Sequence, residues 1–260
     1  MRIRLGPTAK SMALLPALIF LLAGCASQPT FPKANVVSNS TIGIVNALSP
    51  EISNVHLGVT VFNTYKNKIP NDWGLDQKSF AIVKTLLEKN GYRTVAISVP
   101  QQDLDSIREE QDYGDADRGG LNSAWAGKYR RLIAENGLTD IIVLREHIEH
   151  MVSIGDNNPY HGYGISSTHG KIPSSAHLFT TVLADVIGGD PAHRTVAHCL
   201  GWDPIDPSSI PVDDFENIKI SDLASSRPAI ESLVEKKLRF DLTNSGLLEG
   251  QAACPYLLSR

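Results

Sequence analysis

Leu86-Leu-Glu-Lys-Asn-Gly-Tyr-Arg-Thr-Val-Ala-Ile97 and Leu132-Ile-Ala-Glu-Asn-Gly-Leu-Thr-Asp-Ile-Ile-Val143 repeat one pattern. Each is the end of an amphipathic helix, an Asn-Gly stop and a β-rich run. Gly91 and Gly137 suit the left-handed conformation that closes a helix. Upstream of these stops, Phe80, Val83, Leu86 and Leu87 fall at helical spacing, as do Trp125, Tyr129, Leu132 and Ile133. Two helix-to-strand units in succession predict neighbouring parallel strands covered by helices, and therefore an α/β fold. Two copies are too few for a solenoid; one local packing problem has met the same solution twice.

Working outward, residues 41–45 and 55–62 read as strands, the second alternating Val55, Leu57, Val59 and Val61 with other side chains. The polar stretch 63–72, which contains Pro70, reads as a loop. Residues 101–120 are acidic, helical in the first half and loop in the second. Segment 112–117 shares its acidity with calcium loops but lacks the ligand series, the glycine and the terminal glutamate of an EF-hand, so it reads as a solvated loop. After a strand at 138–144, the Gly-, Asn-, Ser-, Tyr- and His-rich stretch 156–171 reads as another loop. Residues 176–187 and 193–202 then read as an antiparallel hairpin around Gly188-Gly-Asp-Pro191. Its natural register sets Asp185 opposite Arg194, Leu183 opposite Val196 and Phe179 opposite Leu200. A Pro- and Asp-rich loop over 203–214 precedes a final helix. That helix starts near Pro228, presents Ile230, Leu233, Val234, Leu238 and Leu242, and stops before Gly246. The order β-β-α-β-α-α-β-β-β-α predicts one α/β domain over 41–260 with a mixed sheet. Parallel strands form its centre and the C-terminal hairpin an antiparallel edge.

The composition, 42% hydrophobic and 20% charged, is that of an ordinary folded domain, and the length suffices for a real core. No Lys/Arg cluster tracks a phosphate backbone, which excludes nucleic acid as a partner. The formal charge is −4, and losing Arg2, Arg4 and Lys10 with the first 24 residues lowers it by three, to about −7.

Those three cations precede an apolar run, 12–22, that ends in Leu22-Ala23-Gly24-Cys25. A basic start, an apolar core and small residues before a cysteine resemble the export signal of bacterial lipoproteins. The resemblance implies that residues 1–24 are a signal peptide and that Cys25 is diacylated and becomes the first mature residue. A spanning helix needs roughly 20 apolar residues, more than this run holds, and Pro16 and Gly24 sit awkwardly in one. A soluble signal peptide cut at a small-x-small site around Ala23 and Ala26 is the competing reading; the cysteine directly after Leu-Ala-Gly favours lipidation. Acyl chains add about 0.8 kcal/mol per buried methylene, so several such chains anchor durably. In the resembled family, Ala26 in place of aspartate implies the outer membrane, facing the periplasm. Residues 25–40, rich in Ser, Pro, Asn and Gln, then read as the lipidated cysteine and a flexible tether.

With Cys25 assigned to lipid, Cys199 and Cys254 remain. Outside the cytosol they can form one disulfide, which would pin the C-terminal tail; the alternative is two buried thiols. Of the eight histidines, His147, His150, His161, His169, His177, His193 and His198 crowd one stretch. A zinc site needs three or four convergent ligands, with Glu146, Glu149 and Asp185 as further donors. His147 and His150, at odd spacing, point to opposite faces if the strand continues, and no His-Glu-x-x-His motif occurs. Metal binding through His147, His150 or His198 is therefore the lesser reading, and no cofactor pattern is present. Ser166, Ser167, Ser174 and Ser175 flank His169, and Asp185 or Asp156 would complete a triad, yet the Gly-x-Ser-x-Gly elbow is missing. Tyr160, His161 and Tyr163 among glycines, with Trp202, form a candidate partner-binding loop, because aromatic rings give contact area at low entropic cost; a surface turn with partly buried tyrosines is the plainer alternative.

The element order with its helix-Asn-Gly-strand units also resembles the periplasmic domains of envelope lipoproteins such as penicillin-binding-protein activators and the curli-secretion lipoprotein. That resemblance carries over no functional residue. Together these features predict a lipid-anchored envelope protein whose periplasmic domain binds or assembles other envelope components, an interaction module more than an enzyme. A histidine-dependent metal-binding protein or envelope hydrolase is the alternative.

Overall fold

In a computed structural model, the chain is described at residues 39–57, 65–70, 72–108, 123–150, 159–168, 175–188, 194–195, 205–211 and 217–249. Both Asn-Gly stops behave as expected. Helix α1 (Leu75–Lys89) ends before Gly91 (φ 85°) and helix α3 (Ser123–Asn136) before Gly137 (φ 60°). Strands β4 (Arg93–Ala96) and β5 (Asp140–Glu146) follow them, and each pairs parallel with β1 (Thr41–Asn46). On the far side of β5 lies β10 (Val182–Gly188), antiparallel, and beyond it the two-residue β11 (Arg194–Thr195). The first sheet thus runs β11-β10-β5-β1-β4, parallel at one half and antiparallel at the other.

Both of its faces are covered, which explains why β5 reads as an unbroken buried run. On one face Ile42, Ile44, Ile142, Leu144, Val182 and Ala184 pack against α1 and against α4 (Arg227–Asn244), which a 3₁₀ helix (Ile220–Ser226) precedes. The predicted stripe of α4 is the buried one, with Ile230, Val234, Leu238 and Leu242 sealed, and Gly246 (φ 83°) lies past its end. On the other face Val45, Ile141, Val143 and Ile187 meet Ile107 of α2 (Gln101–Arg108) and Trp125, Tyr129 and Ile133 of α3.

A second sheet was not foreseen. It runs β12-β9-β8-β2-β3, from β2 (Ile52–Leu57), β3 (Tyr65–Ile69), β8 (Tyr163–Thr168), β9 (Ser175–Thr180) and β12 (Ile205–Pro211). Helix α4 packs along both β10 and β9 and so holds the two sheets together. A short ribbon, β6 (Ile148–His150) with β7 (Pro159–His161), joins β5 to β8. All described residues lie within one compact unit, Phe31–Arg260.

Three stretches expected to be loops therefore contain strands. Residues 65–69 pair antiparallel with β2. In β8 the glycine is a close approach and not a turn: a Cβ on Gly164 would land on the carbonyl oxygen of Ser53 in the neighbouring strand. In β12 the prolines are tolerated because the strand is an edge, irregular between Ile205 and Ser209. The expected long strand 176–187 is two strands in two sheets, parted at Thr181. The hairpin register also differs by two residues: Ile187 faces Arg194 and Val186 faces Thr195, while Phe179 pairs with Gly164 and Ile205. A two-residue slip keeps every side chain on its face, so apolar patterning does not distinguish the registers.

Candidate functional site

Strands β1 and β4 end side by side, and the helices packed near their ends lie on opposite faces of the sheet, α1 on one and α2 on the other. A crevice of about 460 Å³ opens there, at the carboxyl ends of parallel strands, where open α/β sheets hold their ligands. Its floor is Ile44, Ala96 and Ile97, and Phe80, Val99 and Leu104 add apolar wall. Asn46, Asp76, Gln77, Ser98 and Arg108 supply the polar rim. Those polar groups are pre-positioned by the backbone that leaves β1. Asn46 donates its Nδ2 to Asp76 O (3.1 Å) and accepts from Leu48 N–H (3.3 Å). Arg108 donates Nε to Ala47 O (2.8 Å) and Nη2 to Leu48 O (2.9 Å), while Nη1 reaches Asp105 (3.3 Å). A larger groove of about 560 Å³ runs between α1 and α4. It follows the seam of two packed helices, bridged by Lys78 and Glu231.

A second polar cluster sits where the chain changes sheets. Glu146, at the end of β5, is almost wholly buried. Its Oε1 accepts the Ser49 N–H (2.9 Å), and its Oε2 lies 3.0 Å from His161 Nδ1 and 3.6 Å from Lys68 Nζ. Gly162 (φ 85°) lets the strands approach, since a Cβ there would come within 2.8 Å of Glu146 Oε2. The Tyr163 hydroxyl donates to Ser49 O. Burial, reinforced by the charges of Glu146 and Asp76, pushes that phenol far above its ordinary range and keeps it a donor.

Two buried ion pairs flank these features. Arg145 Nε meets Asp185 Oδ2 at 2.6 Å, both side chains essentially inaccessible. Lys237 meets Asp241 at 2.5 Å on α4, and Asp241 also accepts the Ala184 N–H (3.0 Å). Burial pushes the Asp241 carboxyl up to about 6, against the opposing pull of Lys237.

The expected partner-binding loop is corrected by these positions. Tyr160 and Tyr163 are fully buried, the first edge-to-face on Phe179 with centroids 5.1 Å apart, so their rings are core and not contact surface. Among the described members of that group, His161 alone is partly exposed, and it faces Glu146. Trp202, the acylation candidate Cys25, the disulfide candidates Cys199 and Cys254, and His169, His193 and His198 lie outside the described residues, as does segment 112–117. His147 donates its backbone N–H to Thr181 O, and His150 belongs to β6, its Cα opposite that of Pro159. Among the described residues, no three His, Cys, Asp or Glu converge as metal ligands. Asp185 is paired with Arg145. A serine does meet a histidine, but the partner is His56, outside the histidine-rich stretch: its Nδ1 lies 2.6 Å from Ser167 Oγ, set by the β2–β8 register. Sequence reasoning passed over Asn46, Asp76 and Arg108 as well. Their signal was positional, a polar residue directly after an apolar strand and polar groups on the helices that follow.

No helix among the described residues is long and apolar enough to cross a membrane. No family model and no curated protein matches the chain. Among solved structures it is similar to lipoprotein GNA1162 from Neisseria meningitidis, with a TM-score of 0.21 and 12% identity, covering 73% of this chain and 94% of that one. That neighbour is a lipoprotein, and the likeness goes no further.

Proposed function

We propose that this is a lipid-anchored cell-envelope protein, held by Cys25 at the outer membrane and facing the periplasm, whose α/β domain is a binding or assembly module for other envelope components. The crevice at the carboxyl ends of β1 and β4 carries the binding half of this reading. Its apolar floor can take an apolar group, and the polar groups beside it are fixed in place, Asn46 and Arg108 by the bonds described above and Gln77 by donating Nε2 to Asp76 Oδ2 (3.1 Å). An apolar pocket with a few fixed polar groups is suited to hold a ligand. The anchoring half is supported by Leu22-Ala23-Gly24-Cys25 after its apolar run.

Two measurements test the halves separately. Cys25→Ser should move the protein from the membrane to the soluble fraction and abolish incorporation of labelled palmitate; membrane retention without acylation would refute the anchor. A photo-crosslinker at Ser98, on the crevice rim, should trap a defined envelope protein in intact cells, with much less product from Lys84 on the exposed side of α1. Equal or absent trapping at both sites would refute the crevice as the binding surface.

The 2.6 Å contact between His56 and Ser167 favours a second reading, a histidine-dependent envelope hydrolase or metal-binding protein. Ser167 is buried, so a substrate would have to reach it through the sheet. Stoichiometric zinc in the purified protein, lost on replacing His147 and His198, or ester hydrolysis lost in Ser167→Ala, would establish this reading over the first.

A further inference from the structure

Two charged side chains line the crevice at the carboxyl ends of β1 and β4. They reach it from opposite walls, Asp76 from the first turn of α1 and Arg108 from the last turn of α2. The segment 46–48 fixes both walls: Asn46 Nδ2 holds the Asp76 carbonyl, and the carbonyls of Ala47 and Leu48 hold the Arg108 guanidinium. The two charges are met unequally. Arg108 gives N–H groups to those carbonyls and to Asp105, which neutralises it, yet a guanidinium has further N–H groups to donate. Asp76 accepts only from the neutral Gln77 amide, and among the described residues no Lys, Arg or His pairs with its carboxylate. Other carboxylates on these helices do find cations, Glu88 in Lys84 and Asp103 in Lys128. One negative charge is therefore left uncompensated beside the apolar floor of Ile44, Ala96 and Ile97.

We propose that the crevice takes the free amino terminus of a partner polypeptide whose first residue is apolar. This rests on the reading of the crevice as the partner-binding surface and names what is bound there. One terminal residue carries a group for each part of the site. Its ammonium, protonated at neutral pH, pairs with the Asp76 carboxylate; its side chain lies on the floor; its carbonyl oxygen accepts from the N–H groups that Arg108 has left. A neutral carbonyl suits Arg108, because Asp105 already meets its charge. Charge complementarity selects among the alternatives. An amino terminus brings one positive charge to a site with one uncompensated negative charge. A free amino acid brings no net charge, and a carboxyl terminus brings the wrong sign. A lysine side chain has the right charge but offers Arg108 no acceptor. A volume of about 460 Å³ is that of a pocket for a small group, which fits a chain end better than a folded element.

The test uses the purified full-length protein in mild detergent, titrated calorimetrically with leucyl-alanine amide. This dipeptide amide should bind at least about tenfold more tightly than its N-acetyl form and than free leucine, the loss of one charge-assisted contact. Asp76→Asn should weaken the free dipeptide amide by about the same factor and leave the acetylated one unchanged, so that the preference disappears; Asp76→Glu, which keeps the charge, should restore it in part. Unchanged binding of the acetylated form also shows that the variant is folded. Equal binding of the free and acetylated forms, a preference that survives Asp76→Asn, tighter binding of free leucine, or no binding of the dipeptide amide would overturn the proposal. The photo-crosslinker at Ser98 separates that failure from failure of the wider reading. An envelope protein still trapped there, without any preference for a free amino terminus, would remove this ligand and leave the crevice as a binding surface.

Discussion

Replacing Arg145 with methionine should nearly unfold this domain, and replacing Asp185 with leucine in the same molecule should restore it. The two side chains are 1% and 0% exposed and meet at 2.6 Å. At that separation, and at an effective dielectric of about 20, their attraction is about 6 kcal/mol. Taking each ion out of water costs several kcal/mol, so the pair is close to break-even against an apolar pair of similar volume. Arg145→Met removes the attraction and leaves the desolvated carboxylate in place, along with Glu146 O, which loses the Arg145 Nη1 donor. The expected cost is roughly 3 to 5 kcal/mol, a large share of the 5 to 15 kcal/mol that holds a typical domain. Urea titration followed by circular dichroism reads this as a lowered midpoint with an unchanged slope. The double variant Arg145→Met/Asp185→Leu should recover most of that loss, short of wild type by the about 1 to 3 kcal/mol of Glu146 O left without its donor, giving a strong coupling in the double-mutant cycle. A single-variant loss under about 1 kcal/mol, or a double variant no better than Arg145→Met, would refute the reasoning.

Three further outcomes follow from the same structure. The Asp241 carboxyl, raised by burial to about 6, binds its proton more tightly folded than unfolded, so its contribution is fully present below the ordinary carboxylate range and is lost as pH rises through about 6, by an amount on the order of 3 kcal/mol; Asp241→Asn should flatten that part of the stability–pH curve, and an unchanged slope would sink the assignment. Gly164→Ala should cost more than about 3 kcal/mol because its new Cβ meets backbone, whereas Gly43→Ala meets the side-chain ends of Leu138 (2.7 Å) and Ile97 (2.8 Å) and should cost about 1 to 3 kcal/mol; thermal melts that rank them in the opposite order would contradict the strand packing. Tyr163→Phe removes the donor to Ser49 O and should lower stability by about 1 to 3 kcal/mol with no loss of helix signal.

How far the sequence reaches is clear from particular residues. Asn90-Gly91 and Asn136-Gly137 revealed the parallel half of the first sheet because a left-handed stop followed by β-branched residues is a local signature. The Ile230, Val234, Leu238 stripe revealed α4 for the same reason. The second sheet stayed hidden because its strands carry residues that ordinarily mark loops. Gly164 is forced by the carbonyl of Ser53 on a distant strand, and edge position lets β12 keep its prolines. Asp185 was matched with Arg194 because they are close in sequence, but the fold supplies Arg145, 40 residues away. The crevice draws its lining from β1, α1, the end of β4 with the segment after it, and α2, so no one local motif announces it.

The sheet change also accounts for where the polar residues of the histidine-rich stretch have gone. The chain changes sheets five times, and three of those passages, after β1, through the ribbon after β5 and between β9 and β10, are tied to one another by hydrogen bonds. At each passage the ladder breaks and leaves main-chain groups that must be satisfied if buried. Side chains do so here. Glu146 takes Ser49 N–H and Tyr163 gives to Ser49 O; Thr181 Oγ1 takes Gly162 N–H (2.8 Å), and Ser53 Oγ gives to His161 O (2.7 Å). The carboxylate placed there for the backbone is met on its other oxygen by His161 Nδ1 and by Lys68 Nζ. The tyrosines and the histidine that look like a recognition loop in one dimension are thus tied to the joint that lets two sheets share one domain. Once the joint has claimed them, Tyr160 and Tyr163 are core, and His161 is held against Glu146.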